Sequence, residues 1–282
     1  MVSKLFSSIE EVSWPTTANS TRDQIKNTIS ESFAAYLKGR ISAAKESTAG
    51  VLSTSSMLNS WSLATSVVII ILPVDALFPL IDMWRLTFLD PAACSWASSA
   101  SASACGGFIQ VIASRALDVL GTWENIKGPR NYVLTVLRLM CNTFSSVVLT
   151  RRILTDVTLR GILTGVVVES LVSEDGSVRT AASSVAFNMA AWLQNGRAKG
   201  MEGGRNEEWE VELISAVVEA LGREKSNEQV GGWPWPEMWL WFLMALFSAS
   251  SDGGAGAICS TVTLVRWYSQ AAAAGAANTG DA

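Results

Sequence analysis

The sequence predicts an all-α protein built as a stack of helices, a helical solenoid. Apolar residues recur at three- and four-residue steps along most of the 282-residue chain, which is the spacing of one helix face. No stretch alternates apolar and polar residues as a half-buried strand does. Several predicted helices keep polar side chains along one edge. In a solenoid, such edges from successive repeats line a common surface.

The chain is predicted to have three parts: residues 1–60, an N-terminal helix and flexible linker; residues 61–270, the helical domain; and residues 271–282, a disordered tail. Residues 1–19 are polar and are interpreted as a lead-in. A helix is predicted from Ser20, whose hydroxyl can cap free amides, to about Arg40. Residues 41–60 are rich in Ser, Ala, Thr and Gly, which favours a linker.

The first helix of the domain is predicted within residues 73–91, between two prolines. Asp82 and Arg85 are three residues apart on this helix, so they can share a face and form an ion pair. The low-complexity residues 94–105 are predicted to be a loop. A further helix is expected from Gly107 to Leu120.

The central helix, residues 131–146, has an apolar face and a polar edge. The apolar face is formed by Leu134, Leu137, Cys141 and Phe144. The polar edge is formed by Asn131, Thr135, Arg138 and Asn142. Residues 177–195 repeat this design, with polar residues spaced by four at Thr180, Ser184 and Asn188.

Three more helices are expected in the C-terminal half. Asp156 can cap a helix that ends near Leu171, and a final helix is expected at residues 258–269. Between them, residues 208–223 are predicted to form a helix that buries one apolar face: Val211, Ile214, Val218 and Leu221.

Residues 231–247 are the most unusual stretch, because four tryptophans are crowded beside two prolines: Trp233, Trp235, Trp239 and Trp241. Two interpretations are open, an aromatic peptide-binding platform or buried packing between helices. Residues 66–80 and 238–249 are apolar enough to suggest a membrane. The first is interrupted by Pro and Asp, and both are shorter than the ~20 apolar residues that span a bilayer. Buried helices explain both segments better.

The chain contains no histidine, which excludes Ser-His and Cys-His nucleophile pairs and the commonest metal ligand. The four cysteines show no C-x-x-C spacing: Cys94, Cys105, Cys141 and Cys259. We therefore expect reduced thiols, no metal, no cofactor and no enzymatic activity. A net charge of −4 gives no general attraction to nucleic acid or anionic lipid. The reduced thiols and the lack of a signal-peptide pattern favour the cytoplasm or nucleus.

Three segments resemble the motifs of a known family, the PUL domain. They are LFPLIDMWRLTFLDP (77–91), NYVLTVLRLMCNTFSS (131–146) and SVRTAASSVAFNMAAWLQ (177–194). In order, they match the family patterns FPxxDxxRLxxxxP, LRxxxNxF and VRxAxxxxxxN. The family is found at the C-terminus of phospholipase-activating-protein homologues. It also occurs in fungal proteins that carry PPPDE isopeptidase-like and thioredoxin-like domains.

The resemblance implies an armadillo-like solenoid that binds the acidic C-terminal tail of an AAA+ segregase, valosin-containing protein, in ubiquitin-dependent turnover. The predicted peptide-binding residues are Arg85, Arg138, Asn142, Arg179 and Asn188. The arginines would supply charge-assisted donors to carboxylates, and the asparagines would bond a peptide backbone. Holding neighbouring helices together, by capping or by pairing with carboxylates, is an equally open role for them.

The sequence departs from the family pattern near its end. Where the family tends to have E-x-x-x-R-x-x-x-A-L-G, this chain has Trp241 at the Arg position and Phe247 at the Gly position. Two alternatives follow, a scaffold with a different peptide ligand and a detached C-terminal part of a fungal isopeptidase-like protein. The isopeptidase reaction itself needs a histidine and a cysteine, so it is not expected within this chain.

Overall fold

The computed structural model describes residues 2–11, 19–43, 51–99, 107–125, 128–198 and 207–226. Helices make up 89% of these residues, and no strand occurs among them. The all-α prediction is therefore confirmed. The described helices are α1 (Val2–Glu11), α2 (Asn19–Ala43), α3 (Val51–Ile71), α4 (Val74–Thr87), α5 (Pro91–Ala97), α6 (Phe108–Gly121), α7 (Pro129–Thr143), α8 (Val147–Thr155), α9 (Val157–Leu171), α10 (Gly176–Ala198) and α11 (Glu207–Ser226). A short 3₁₀ turn follows α6.

The chain divides into two compact units, Met1–Val185 and Ala186–Ala282. The first unit contains α1 to α9 and the beginning of α10. The second contains the rest of α10 and all of α11. No single described helix has both the length and the hydropathy of a membrane span, and α7 with α8 meets that test only as a pair bent by 114°.

Helices of the first unit pack against the helix three positions further along the chain. α1 contacts α4, α4 contacts α7, α3 contacts α6, α6 contacts α9, and α5 contacts α8. A three-helix unit that stacks on the next unit produces this pattern of contacts. The armadillo-like solenoid remains a prediction for the chain as a whole.

α4 and α7 run side by side in the same direction. Near their N-terminal ends, a Cβ atom built at Gly128 would lie 2.8 Å from the Cβ atom of Asp75. Near their C-terminal ends, the side chain of Asn142 donates to the backbone carbonyl of Arg85 at 2.8 Å. The polar edges of two successive motifs are therefore placed next to each other.

The core around α4 is a cluster of aromatic rings. Trp84 stacks on Trp61 with ring centroids 3.9 Å apart, and it also contacts Phe88, Trp96 and Phe108. The indole nitrogen of Trp84 donates to the hydroxyl of Thr65, so its polar atom is satisfied although the side chain is fully buried. This cluster fixes the position of α4 against α3, α5 and α6.

Three segments that were predicted to lack regular structure contain helices. α1 lies in the expected lead-in and buries Leu5 and Ile9 completely. α3 begins at Val51, within the expected linker, and buries Leu58. α5 occupies the start of the expected loop at 94–105 and buries Trp96. In each case, burial of a few large side chains outweighs a local composition that favours loops.

The C-terminal predictions have mixed outcomes. Asp156 caps α9 as expected, because its side chain accepts from the amide of Leu159 at 3.1 Å. The helix at 208–223 exists as α11, but its predicted buried face is wrong, since Val211 and Val218 are 59% and 52% exposed whereas Leu213 is buried. The tryptophan-rich segment, the helix at 258–269 and the tail lie outside the described residues.

Candidate functional site

The adjacent C-terminal ends of α4 and α7 bring three of the five predicted binding residues together. We call this surface the α4–α7 edge and define it by Asp82, Arg85, Arg138 and Asn142. The two helices supply one ionic residue pair, one amide and one further arginine.

Arg85 is paired within its own helix. Its Nε donates to Oδ1 of Asp82 at 2.6 Å, and the side chains are 28% and 18% exposed, respectively. The three-residue spacing predicted this contact. Much of the charge of Arg85 is therefore balanced before any ligand arrives, although a guanidinium has further N–H donors.

Asn142 joins α7 to the end of α4. The last carbonyls of a helix have no partner within that helix. Nδ2 of Asn142 donates to one of them, the carbonyl of Arg85, at 2.8 Å. The sequence predicted that Asn142 bonds a peptide backbone, and the structure shows such a bond to the backbone of its own chain. This is the structural alternative that the sequence left open for this residue.

Arg138 is the exposed cation of the α4–α7 edge. It lies four residues, about one helical turn, before Asn142 on the same side of α7. Among the described residues, it forms no ion pair and no hydrogen bond through its side chain. Its guanidinium is thus available to an acceptor outside the chain.

The other two predicted binding residues, Arg179 and Asn188, both lie on α10. Nη1 of Arg179 donates to the carbonyls of Ser173 and Glu174, at 2.9 and 2.8 Å, so this side chain holds the turn before α10. Asn188 is half-buried on the part of α10 that belongs to the second unit. Within the first unit, Arg179 is therefore engaged at the start of α10 and not at the α4–α7 edge.

A polar contact that the sequence did not reveal links the starts of α7 and α10. Arg130 donates from Nε to Oδ2 of Asp175 at 2.6 Å and from Nη2 to the hydroxyl of Ser177 at 2.8 Å. Oδ1 of Asp175 accepts from the amides of Ser177 and Val178 and so caps α10. An Asp before Gly-Ser signals the cap, but no local pattern signals a partner 45 residues away.

Electrostatics at this contact favour a charged Asp175. Burial alone would raise the pKa of its carboxyl group. The hydrogen bond from Arg130 and those from the backbone amides outweigh burial and hold the pKa below its ordinary value of 3.8.

The described cysteines are not set up as nucleophiles. Cys94 and Cys141 are free thiols. Burial raises the pKa of Cys141 to about 11 and also raises that of Cys94. In the described part of the chain, no three potential acidic, cysteine or histidine ligands are grouped for a metal ion.

Comparison with known proteins places these observations in a family. The family model of the PUL domain matches residues 4–232, which includes the N-terminal helices that the sequence had assigned to a separate region. No curated protein and no solved structure shows a significant match to the chain. The chain therefore belongs to the PUL domain family, whose members are helical protein-interaction domains.

Proposed function

We propose that this PUL domain binds the acidic C-terminal tail of an AAA+ segregase, valosin-containing protein, through the α4–α7 edge. It acts as a non-catalytic adaptor in ubiquitin-dependent protein turnover, in the cytoplasm or nucleus. The observation that carries the proposal is the exposed Arg138, which has no ion-pair partner among the described residues. It lies one helical turn before Asn142, the residue that bonds the carbonyl of Arg85.

The chemistry of the edge suits a carboxylate-rich peptide. Arg138 presents a planar set of donors that can bind a carboxylate through two parallel hydrogen bonds. Arg85 is held in place by Asp82 and retains donors beyond its Nε. Two arginines on adjacent helices can therefore contact successive acidic residues of one extended peptide.

A scaffold with a different peptide ligand is the second candidate. Two features favour it. The charge of Arg85 is balanced by Asp82, and Trp241 stands at a position where the family tends to have arginine. Both features lower the positive charge available to an acidic tail.

A binding titration separates the two. The purified protein is titrated against a fluorescently labelled segregase tail peptide, with Arg138→Glu as the test variant and Arg22→Glu as the matched control. Arg22 lies at the start of α2, where it pairs only with its neighbour Asp23 among the ion pairs described. Because both variants change the net charge equally, only the local contact differs.

We expect Arg138→Glu to weaken binding by about tenfold or more, since it removes a charge-assisted bond and adds repulsion. Arg22→Glu should stay within about twofold of the wild type. If both variants weakened peptide binding equally, the loss of affinity would be explained by the change in net charge and not by a contact of Arg138. Absence of saturable binding up to about 500 µM, with helical circular dichroism intact, would favour the different ligand.

A further inference from the structure

α3 leaves a row of large apolar side chains exposed on one of its faces. Leu63, Val67 and Ile70 are 52%, 39% and 74% exposed, and Ile71 is 36% exposed. They are separated by four, three and one residues, which places them on the same side of the helix. The sequence predicted a buried helix for residues 66–80. That prediction is wrong for this face, because only the other face of α3 packs against α2, α5 and α6.

The exposed row continues towards the N-terminal end of α3 with two small polar residues. We call the five exposed residues the α3 seam: Ser56, Ser60, Leu63, Val67 and Ile70. The steps between them alternate between four and three residues. This alternation is the spacing at which two helices of a coiled coil contact each other. A single exposed apolar residue is ordinary on a protein surface, whereas a contiguous row marks an interaction site.

The partner of the α3 seam is indicated by its lack of charge. α3 contains no Asp, Glu, Lys or Arg over its whole length, Val51–Ile71. In a two-fold symmetric pair the same surface comes from both copies, so a charge near the centre of that surface would meet a like charge. The α3 seam avoids this repulsion. A charged peptide, in contrast, would find no counter-charge on it.

The sizes of the seam residues also suit a second copy of the same helix. The seam is small at one end, at Ser56 and Ser60, and large at the other, at Val67 and Ile70. In an antiparallel pair with its two-fold axis near Leu63, the serines of one copy lie opposite the large side chains of the other. Small side chains opposite large ones allow two helices to pack closely.

We infer that two copies of this chain associate through the α3 seam and form a homodimer. Removal of the apolar side chains of both copies from water drives the association. Because only one helix of each copy contributes, we expect a reversible dimer whose population depends on protein concentration. The α3 seam shares no residue with the α4–α7 edge, so the inference does not depend on the proposed function.

Sedimentation velocity of the full chain, at concentrations from about 1 to 300 µM, tests the inference. The test variants are Leu63→Glu and Ile70→Glu, and the matched control is Val218→Glu. Leu63 and Val218 each lie within a long helix and are 52% exposed. The three variants change the net charge equally, and circular dichroism checks that each is folded.

We expect the wild type and Val218→Glu to show the same equilibrium between monomer and dimer. Leu63→Glu and Ile70→Glu should raise the dissociation constant of the dimer at least about tenfold, because each places a charge in the apolar contact. A mixture of Leu63→Glu with Leu63→Lys should associate more tightly than either variant alone, since opposite charges then meet at the centre of the seam.

A wild type that is monomeric at every concentration, or an equal effect of the control and the seam variants, would overturn the inference. With a monomeric wild type, two further measurements identify what covers the seam instead. Flotation with phosphatidylcholine vesicles that is lost in Ile70→Glu would assign the seam to a lipid surface. A lower melting temperature of Ile70→Glu, without vesicle binding, would assign it to another segment of the same chain.

Discussion

Asn142 has a role in the fold that can be measured. Its amide is the hydrogen-bond partner of the Arg85 carbonyl at the end of α4. Because an unpaired carbonyl in a half-buried position costs free energy, we expect Asn142→Ala to lower the free energy of unfolding by about 1–3 kcal/mol. Urea unfolding followed by circular dichroism measures the change.

Arg138→Ala is the control for Asn142→Ala, because Arg138 is exposed and its side chain forms no hydrogen bond or ion pair among the described residues. It should change the free energy of unfolding by less than about 0.5 kcal/mol. If Asn142→Ala were as mild as this control, the contact would contribute little to the fold, and a role for Asn142 in ligand binding would gain support.

Asp175 makes a pH-dependent contribution to stability. Its folded-state pKa lies below its ordinary value of 3.8 because of Arg130 and the capped amides. A lowered folded pKa stabilises the fold above the ordinary pKa, and this stabilisation is lost as the pH falls through the folded pKa. We expect Asp175→Asn, which keeps a capping side chain, to be less stable than the wild type at pH 7, with the gap narrowing below about pH 4.

Urea unfolding of both proteins at a series of pH values measures this gap. The same series with Arg130→Gln should show a similar narrowing, because that variant removes the partner charge. A gap between wild type and Asp175→Asn that is constant from neutral to acid pH would show that the charge of Asp175 is irrelevant.

At the scale of elements, the junction of α4 and α7 depends on Gly128. This residue has φ of +70°, and a Cβ atom there would lie 2.8 Å from the Cβ of Asp75. We expect Gly128→Ala to lower the free energy of unfolding by about 2 kcal/mol or more, from backbone strain and a clash between helices. Thermal or urea unfolding provides the measurement.

Gly161→Ala is the matched control, because Gly161 lies inside α9 with no atom within 4 Å of a built Cβ. There the substitution should stabilise the protein by up to about 1 kcal/mol, since alanine favours helix. Equal effects of the two substitutions would contradict the close approach of α4 and α7 at Gly128.

The helical periodicity of apolar residues predicted most elements correctly, whereas predictions of loops from residue composition were wrong at α1, α3 and α5. The helices now numbered α2, α4, α6, α7, α9, α10 and α11 were expected, and Asp156 was identified as a cap. α1, α3 and α5 conflicted in whole or in part with loop predictions, since their Ser- and Ala-rich sequences give a weak local signal. Their stability comes from buried contacts such as those of Trp61 and Trp96, which only the tertiary structure reveals.

At the scale of the whole molecule, the family motifs predicted the polar residues of α4 and α7 as a binding site, but they did not predict the contacts that these side chains make within the chain. Arg85 and Asn142 lie on adjacent helices, and both make contacts within the chain. Arg179 holds a local turn instead. Which side chains make contacts within the chain depends on the distances between helices, and the spacing of residues along one sequence does not give those distances.

The measurement that tests the central claim most directly is a calorimetric titration of the wild type and Arg138→Glu with the segregase tail peptide at two salt concentrations. We predict saturable binding by the wild type that weakens as salt rises, and binding at least about tenfold weaker in the folded variant. Binding that is insensitive to both salt and Arg138→Glu would contradict recognition of an acidic tail by the α4–α7 edge.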